Sequence, residues 1–430
     1  MVVKRLNREI LERIQVINGH RIPNNYVKGT FYLKPKEWLE YTLDNLTISS
    51  DYGTSESTNS DVGIPVLRMG NMKNGKIDTN DLVFLELDKE QFEKLKLNKG
   101  DILFNRTNSY DLVGKVSLFN IEGDYICASY IVRFKIDNSL IDSRYVAYFM
   151  NLPKAQEYIK VLATKGVQQV NVNPTTLKKY FKITFPKNLE EQKKIVDIID
   201  NCDKSIELKE KLLQEKQKQK KGLMERLLTG EIRLNGFNKE WKEVRLSNVL
   251  LEENEITTIN NQYPVLTSSR QGLFLQSEYF KKQVASQDNV GYKIIKRGEF
   301  TYRAMSDDGK FTFNQLLRHE IGIVSPAYSV FKVKDNSNDI FIKEILNSDV
   351  FTKHLAKEVQ GGTRLSLKFK SLSKIKLKIP EKKEQSEIAK VLKLANDELE
   401  LLQKEIDLLK EQKKGLMQLL LTGIVRVKCD

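Results

Sequence analysis

The stretch from Glu191 to Gly230 occurs twice in this chain: moved by 193 residues it falls on Glu384 to Gly423. Aligned without a gap, Glu191 to Leu234 against Glu384 to Val427, 17 of 44 positions are identical, among them the blocks KKGLM (Lys220 to Met224, Lys413 to Met417) and LLTG (Leu227 to Gly230, Leu420 to Gly423). Each copy reads as one long helix. The second sets Ile388, Leu392, Ala395, Leu399, Leu402, Ile406, Leu409, Lys413, Leu416 and Leu420 at alternating steps of four and three, the seam of a coiled coil. The first keeps that register with Ile195, Ile199, Cys202, Ile206, Leu213, Leu223 and Leu227, and puts Lys209, Lys216 and Lys220 at the remaining seam positions. Polar residues there weaken a seam while fixing its register and partner. Some 40 residues at about 1.5 Å rise give a rod of roughly 60 Å. The natural mate of each helix is the other.

Charge says what the rest of the chain meets. The net charge is +14, yet Leu189 to Thr229 carries ten basic and nine acidic residues and Glu384 to Gly423 six and eight, a sum of −1, so the excess lies outside these helical stretches. That placement favours contact between a polyanion and the flanking domains, with the rod as spacer. A length of 430 residues implies two or three domains. No apolar run of about 18 residues spans a bilayer, and the N-terminal MVVKRLNREILERIQV has no signal-peptide core, so the expected location is cytoplasmic. Cys127, Cys202 and Cys429 have no metal or disulfide spacing and read as reduced thiols.

In chain order the sequence divides into a leader (1–29), a first domain (30–188), the first long helix (189–230), a second domain (231–381), the second long helix (382–424) and a tail (425–430). The leader has helical apolar spacing (Leu6, Ile10, Ile14, Ile17) and is expected to pack on the core or rod. In the first domain the short apolar runs GIPVLRMGNM, GDILFNRTN, GKVSLF and YICASYIVRFKI, punctuated by Gly, Asn and Asp, read as strands and turns. Helical stretches over 143–152 and 154–163 and an alternating strand ending in Pro186 complete an α+β fold. The second domain echoes the first: Trp38 matches Trp241, Pro65 to Leu67 match Pro264 to Leu266, Lys99 to Asp101 match Arg297 to Glu299, Phe134 matches Phe331, and Pro186 matches Pro380. A period this long is domain duplication rather than a solenoid repeat. A domain whose ends lie close together returns the second helix alongside the first. The expected architecture is therefore two duplicated α+β domains separated by two long helices in an antiparallel coiled coil, with an internal pseudo-twofold axis and the C-terminus returning to the first domain.

A tryptophan at each domain start, GIPVLR then KGD[IL]LF inside, an alternating strand ending in proline, EQxxI opening a long helix and KKGLMxxLLTG closing it together resemble the specificity subunit of type I restriction-modification systems. The resemblance covers about Phe31 to Val427, and the duplicated strand-Pro-EQ-helix junction is its most specific part. It implies two target recognition domains, each reading one half of a split sequence in double-stranded DNA, and helices that space them and dock modification (methyltransferase) subunits. It further implies that S-adenosylmethionine, ATP and Mg belong to partner subunits and not to this chain, with restriction subunits as a further partner. The leader has no repeat equivalent, and the first helix has a lysine-interrupted seam; these are departures from an even duplication.

No Asn/Asp-Pro-Pro-Tyr methyltransferase motif, phosphate loop or strand-borne GxGxxG is present, and His20, His319 and His354 lie far apart in sequence, so a non-catalytic chain is expected. DNA contact calls for Arg, Asn, Gln, Ser, Thr and Lys in loops. In the first domain such residues are Arg68, Asn71, Lys73 and Asn74, then Asn105, Arg106, Thr107, Asn108, Ser109 and Tyr110, then Lys165, Gln168, Gln169, Asn171 and Asn173. In the second they are Ser268, Ser269, Arg270 and Gln271, then Tyr302, Arg303 and Ser306, then Thr363, Arg364 and Ser366. Met224 and Leu228, with Met417 and Leu421, form a second apolar edge beside the seam. Such an edge is either a docking site for two modification subunits or a face covered by the chain's own domains. The rival reading of the whole chain is a coiled-coil scaffold whose duplicated domains bind protein.

Overall fold

The computed structural model describes residues 8–58, 62–166, 169–280, 288–356 and 365–429. The chain forms two compact units, one of Met1–Lys209 with Glu405–Asp430 and one of Glu210–Lys404. Each holds one α+β domain and a segment of both long helices, Leu189–Thr229 and Lys382–Leu421.

The first unit is built on an antiparallel sheet in the order Val116–Leu118, Ile102–Asn105, Ile131–Ile136, Thr47–Tyr52. Alternation along these strands sorts their residues into two cores. Ile102, Phe104, Val132 and Phe134 face Tyr145, Val146 and Phe149 of the helix Ser143–Met150, and the same core takes in Ile195 and Ile199 of the first long helix and Leu420 of the second. Leu103 and Ile131 face the other way, onto Leu67, Met72 and Phe119. The second unit repeats the plan with Leu250–Glu253, Tyr328–Val333, Phe300–Arg303 and Asn314–Gln315 in one sheet. There Phe300, Tyr302 and Phe331 face the helix Asp339–Leu346, Ile388 and Leu392 of the second long helix, and Leu227 of the first.

Within each unit the helix segments run antiparallel. In the first, Asp203 meets Lys413 at 2.6 Å and Lys209 meets Glu405 at 2.9 Å, so one number rises as the other falls. In the second, Lys216 meets Glu398 at 2.7 Å, and further along Leu227 and Leu228 share a core with Ile388 and Leu392. The seam lysines thus have a purpose: Lys209 and Lys216 each reach a carboxylate on the facing helix. Half-exposed pairs contribute about 0.2–1 kcal/mol each, so their role is register more than strength. Of the expected seam positions only Leu223 is exposed.

The residues Glu-Gln at the start of each long helix build a junction that occurs twice. The short ribbon Leu39–Thr42 with Lys182–Phe185, and its counterpart Lys242–Arg245 with Lys376–Ile379, deliver the chain to Pro186 and Pro380. Gln192 then donates to the Pro186 carbonyl at 2.9 Å and accepts from the Asp142 amide at 2.9 Å. Gln385 donates to the Pro380 carbonyl at 2.9 Å and accepts from the Asn338 amide at 2.8 Å. Glu191 receives Arg426 through two bonds of 2.7 and 3.0 Å, and Glu384 receives Arg233 through two of 2.6 and 2.8 Å. Each guanidinium also lies over a tryptophan, Arg426 over Trp38 at 5.5 Å and Arg233 over Trp241 at 5.6 Å. The carboxylates are buried, with side chains 7% and 2% exposed. Such bidentate pairing raises the affinity of both guanidinium groups for their protons. Gly423 and Gly230, both at positive φ (71° and 74°), end the helices against the same tryptophans.

The apolar edge of Met224, Leu228, Met417 and Leu421 is closed by the chain itself. Leu421 is fully buried in the first unit's core with Met417 packed on it, and Leu228 is 2% exposed in the second unit's core with Met224 packed on it. The expectation that this edge docks modification subunits is corrected: periodicity reveals that a face must be covered, and here each domain covers it. The leader forms the helix Arg8–Asn18, whose Arg13 lies over Tyr26 at 5.2 Å and donates to the Ile424 carbonyl.

Candidate nucleic-acid interface

Main-chain pairing brings the polar segments of the first domain together. The strand Thr107–Asn108 continues from the buried Ile102–Asn105 and pairs with Val170–Val172, which in turn pairs with Ala163–Lys165. Two candidate loops far apart in sequence therefore form one three-stranded sheet. Across it Asn171 accepts from Arg106 Nε at 3.2 Å and from the Thr107 hydroxyl at 3.2 Å. The third segment adjoins through Tyr130, whose carbonyl accepts from the Arg106 amide and whose hydroxyl is pushed above the ordinary tyrosine value by burial, with the charge of Arg68 acting in the opposite sense. Tyr52, Gly53, Ser55, Arg106, Thr107, Ser129 and Tyr130 line an open cavity of 430 Å³.

Within these segments the residues play different parts. Arg68 pairs with Asp81 at 2.9 Å, Lys73 pairs with Asp78 at 2.5 Å, and Asn74 occupies a left-handed turn at φ 52°. Asn71 is 3% exposed; its amide donates to the carbonyls of Asp78 and Asp81 and accepts from the Arg68 N–H, so it shapes the loop from inside and is removed from the base-reading set. Asn105 is removed likewise, being fully buried in the sheet; its side-chain amide has no hydrogen-bond partner among the described residues. Asn108 accepts from the Ser109 amide, Tyr110 is half exposed with Lys160 over its ring, and Asn173 caps the helix Pro174–Tyr180. Lys165 ends its strand and Gln169 is exposed; Gln168 lies outside the described residues.

The second domain repeats the frame with other side chains. Met305–Ser306 pairs with Leu365–Ser366 as Thr107–Asn108 pairs with Val170–Val172. The first candidate segment is a hairpin, Leu266–Ser269 with Gly272–Leu275, which places Arg270 and Gln271 at its exposed turn. Arg270 binds Asp308 at 2.5 Å, and this guanidinium, with the Lys310 amide and the Ser306 hydroxyl, holds the Asp308 carboxyl down at about 2. Ser268 accepts from Asn314 at 2.8 Å. Arg303 is exposed, and no ion-pair partner for it occurs among the described residues. Tyr302 belongs to the core: it is fully buried, donates to the Leu367 carbonyl at 3.2 Å, and its hydroxyl is pushed above the ordinary tyrosine range chiefly by burial. Its expected DNA contact is corrected on that ground. Thr363 and Arg364 lie outside the described residues. A groove of 590 Å³ beside the hairpin is lined by Arg270, Lys310, Arg318 and Lys343 among others.

Sequence reasoning passed over Tyr52, Tyr130 and Asp308. Tyr130 sits inside an apolar run that reads as strand, and only the fold reveals which side chains of that run leave the core. Among the described residues no group of three or more His, Cys, Asp or Glu is placed to hold a metal ion, and no helix is long and apolar enough to cross a membrane.

The model of the type I restriction modification DNA specificity domain matches residues 35–216 and again 238–411. The chain belongs to this family. It is a type I specificity subunit with two target recognition domains, the DNA-specificity component of its system and not a catalytic one. A protein of Methanocaldococcus jannaschii described as the type I restriction enzyme MjaX specificity subunit is 27% identical over 94% of this chain and 97% of its own length. The MjaVIII specificity subunit of the same organism is 28% identical over 70% of this chain and 75% of its own length. In fold, the S subunit of a type I system from M. genitalium superposes with a TM-score of 0.53 at 14% identity, over 95% of this chain and 99% of that one. A chain from a structural study of complex assembly in the type I system superposes at 0.58, also at 14% identity, over 92% of this chain and all of that one.

Proposed function

We propose that the two polar faces of this specificity subunit read the two halves of one bipartite duplex target, one domain per half. The observation that carries this is a shared frame with exchanged side chains. The same strand pairing presents Arg106, Thr107 and Asn108 in one domain and Ala304, Met305 and Ser306 in the other, beside a 3-10 turn in the first and a hairpin in the second. Two readers of identical half-sites would have no reason to differ there. The test is to replace residues 36–187 by the corresponding domain of a relative and to sequence the methylated motif of cells carrying the system. One half of the motif should change and the other persist. A change in both halves would refute separate reading.

The partners are double-stranded DNA and two modification subunits, which bring S-adenosylmethionine, with restriction subunits bringing ATP and Mg, all in the cytoplasm. With the Met224/Leu228 and Met417/Leu421 edges closed, docking falls on leucines that the helices leave open. Leu208 and Leu401, equivalent in the duplication, are 58% and 65% exposed. An exposed pair that is equivalent in the two copies supports two sites. Leu208→Ser with Leu401→Ser should lower co-purification of the modification subunit and leave the melting profile of the chain intact; undiminished two-to-one binding would refute docking there.

A further inference from the structure

Arginines with an assigned carboxylate are common in the first unit. Arg68 is matched by Asp81, Arg133 by Asp51, and Arg144 by Asp142, Asp197 and Asp200. Arg106 differs: among the described residues no acidic side chain lines its cavity, whose other walls are Tyr52, Gly53, Ser55, Thr107, Ser129 and Tyr130. It is nonetheless held. Its guanidinium carbon lies 5.1 Å from the centre of the Tyr52 ring, and its Nε donates to Asn171. The ring contact and the Nε bond restrain the guanidinium from two sides. The two terminal nitrogens make no protein hydrogen bond among the described residues, so the fork of donors is oriented and unspent.

A planar fork fits a pair of acceptors on one edge. On duplex DNA that pair is O6 and N7 of guanine in the major groove; a phosphate also accepts the fork, but it can be held by the point charge of a lysine as well, so replacement by lysine separates the two. Prior orientation lowers the entropy lost on binding, which matters for a directional contact more than for a charge–charge one. The second domain shows what the frame looks like without this device. The Arg106 amide donates to the Tyr130 carbonyl and its own carbonyl accepts from Val172; at the equivalent place the Ala304 amide donates to Ala327 and its carbonyl accepts from Leu367.

We propose that Arg106 is a specificity-determining residue that reads one guanine, through N7 and O6, in the half-site of the first domain. This rests on the reading of the polar faces as DNA readers, and the experiment separates the two. The motif is first taken from DNA modified by the wild-type complex, and the half belonging to the first domain is identified by domain exchange. Duplexes carrying that motif with 7-deazaguanine at one guanine at a time are then titrated with wild-type, Arg106→Ala and Arg106→Lys complexes. At one position the wild type should lose affinity by about tenfold. Arg106→Ala should be indifferent to 7-deazaguanine at that position. Arg106→Lys should resemble Arg106→Ala, and Tyr52→Leu should reduce the wild-type penalty. The penalty in the wild type needs no variant to fold. A first-domain half-site without guanine on either strand, or equal penalties in wild type and Arg106→Ala, overturns the proposal while leaving the DNA-reading function standing. An Arg106→Lys complex that binds as the wild type does, with no position sensitive to 7-deazaguanine, assigns Arg106 to phosphate and also overturns it. A wild-type complex that modifies no DNA refutes the DNA-reading function itself and takes this proposal with it.

Discussion

The junctions where the two domains meet the long helices match group by group, whereas the polar faces of the same domains share one strand pairing and little else. At the junctions Arg426, Glu191, Trp38, Gln192 and Gly423 have Arg233, Glu384, Trp241, Gln385 and Gly230 as counterparts, with the same bonds at nearly the same lengths. On the faces, Arg106 is answered by Ala304 and a 3-10 turn by a hairpin. The difference teaches where each constraint lies. A buried carboxylate must keep its guanidinium in both copies, because an unpaired charge inside a protein is costly. A solvent-facing side chain supported by main-chain pairing answers only to what it binds, and the backbone survives its replacement.

The junctions offer the sharpest way to break this comparison. Removing the guanidinium by Arg426→Ala or Arg233→Ala leaves Glu191 or Glu384 buried without a partner and should cost about 3 kcal/mol in either copy. Thermal unfolding of the two variants measures it, and a loss confined to one copy would show that the junctions are alike in geometry only. Next in size, Gln192→Ala and Gln385→Ala each orphan a buried proline carbonyl and a backbone amide, with an expected loss of about 2 kcal/mol in urea titrations. The glycines should separate the copies. A Cβ on Gly423 would lie 2.7 Å from Pro35, while one on Gly230 would lie 3.3 Å from the Trp241 ring. Gly423→Ala is therefore expected to cost about 2 kcal/mol and Gly230→Ala about 1 kcal/mol, the part due to left-handed backbone alone. The smallest effect is assigned to Tyr302→Phe, which deletes one bond to the Leu367 carbonyl and should cost about 1 kcal/mol by the same titration. The methylated motif should be unchanged in that variant; an altered motif would return Tyr302 to the reading face.

The helices, their seam and the duplication were legible because each repeats a simple period over many residues. Seam positions such as Ile199, Ile206, Leu392 and Ile406 stand where steps of four and three put them. The closing of the second apolar edge was not legible, since Leu228 and Leu421 look the same in sequence whether a partner or the chain's own domain covers them. Arg233 and Arg426 are an identical pair in the helix alignment. Apolar periodicity gives a lone arginine beyond a helix end no weight, and its carboxylate partner lies more than a hundred residues away. For the polar faces, composition located the segments but could not sort their members. Asn71 and Tyr302 are polar residues spent on the interior, and Tyr52 is an aromatic at the end of a strand whose ring meets Arg106; only the direction of each side chain decides, and that depends on sheet register.

One unit is assembled from two segments separated by the whole of the other: Arg426 and Gly423 complete a junction whose other members, Trp38 and Glu191, precede them by more than two hundred residues. On the ribosome, everything from Glu210 to Lys404 is synthesised before the segment that closes the first unit. At about 5–20 residues per second, that interval lasts on the order of 10–40 s. The second unit, continuous in sequence, can therefore finish folding first, while the first waits with Glu191 uncompensated. A message cut short before Arg426 would yield a polypeptide with one sound reader and one unsealed, a fit substrate for proteases. Late closure thereby couples the durability of the first reader to synthesis of the segment that carries Arg426.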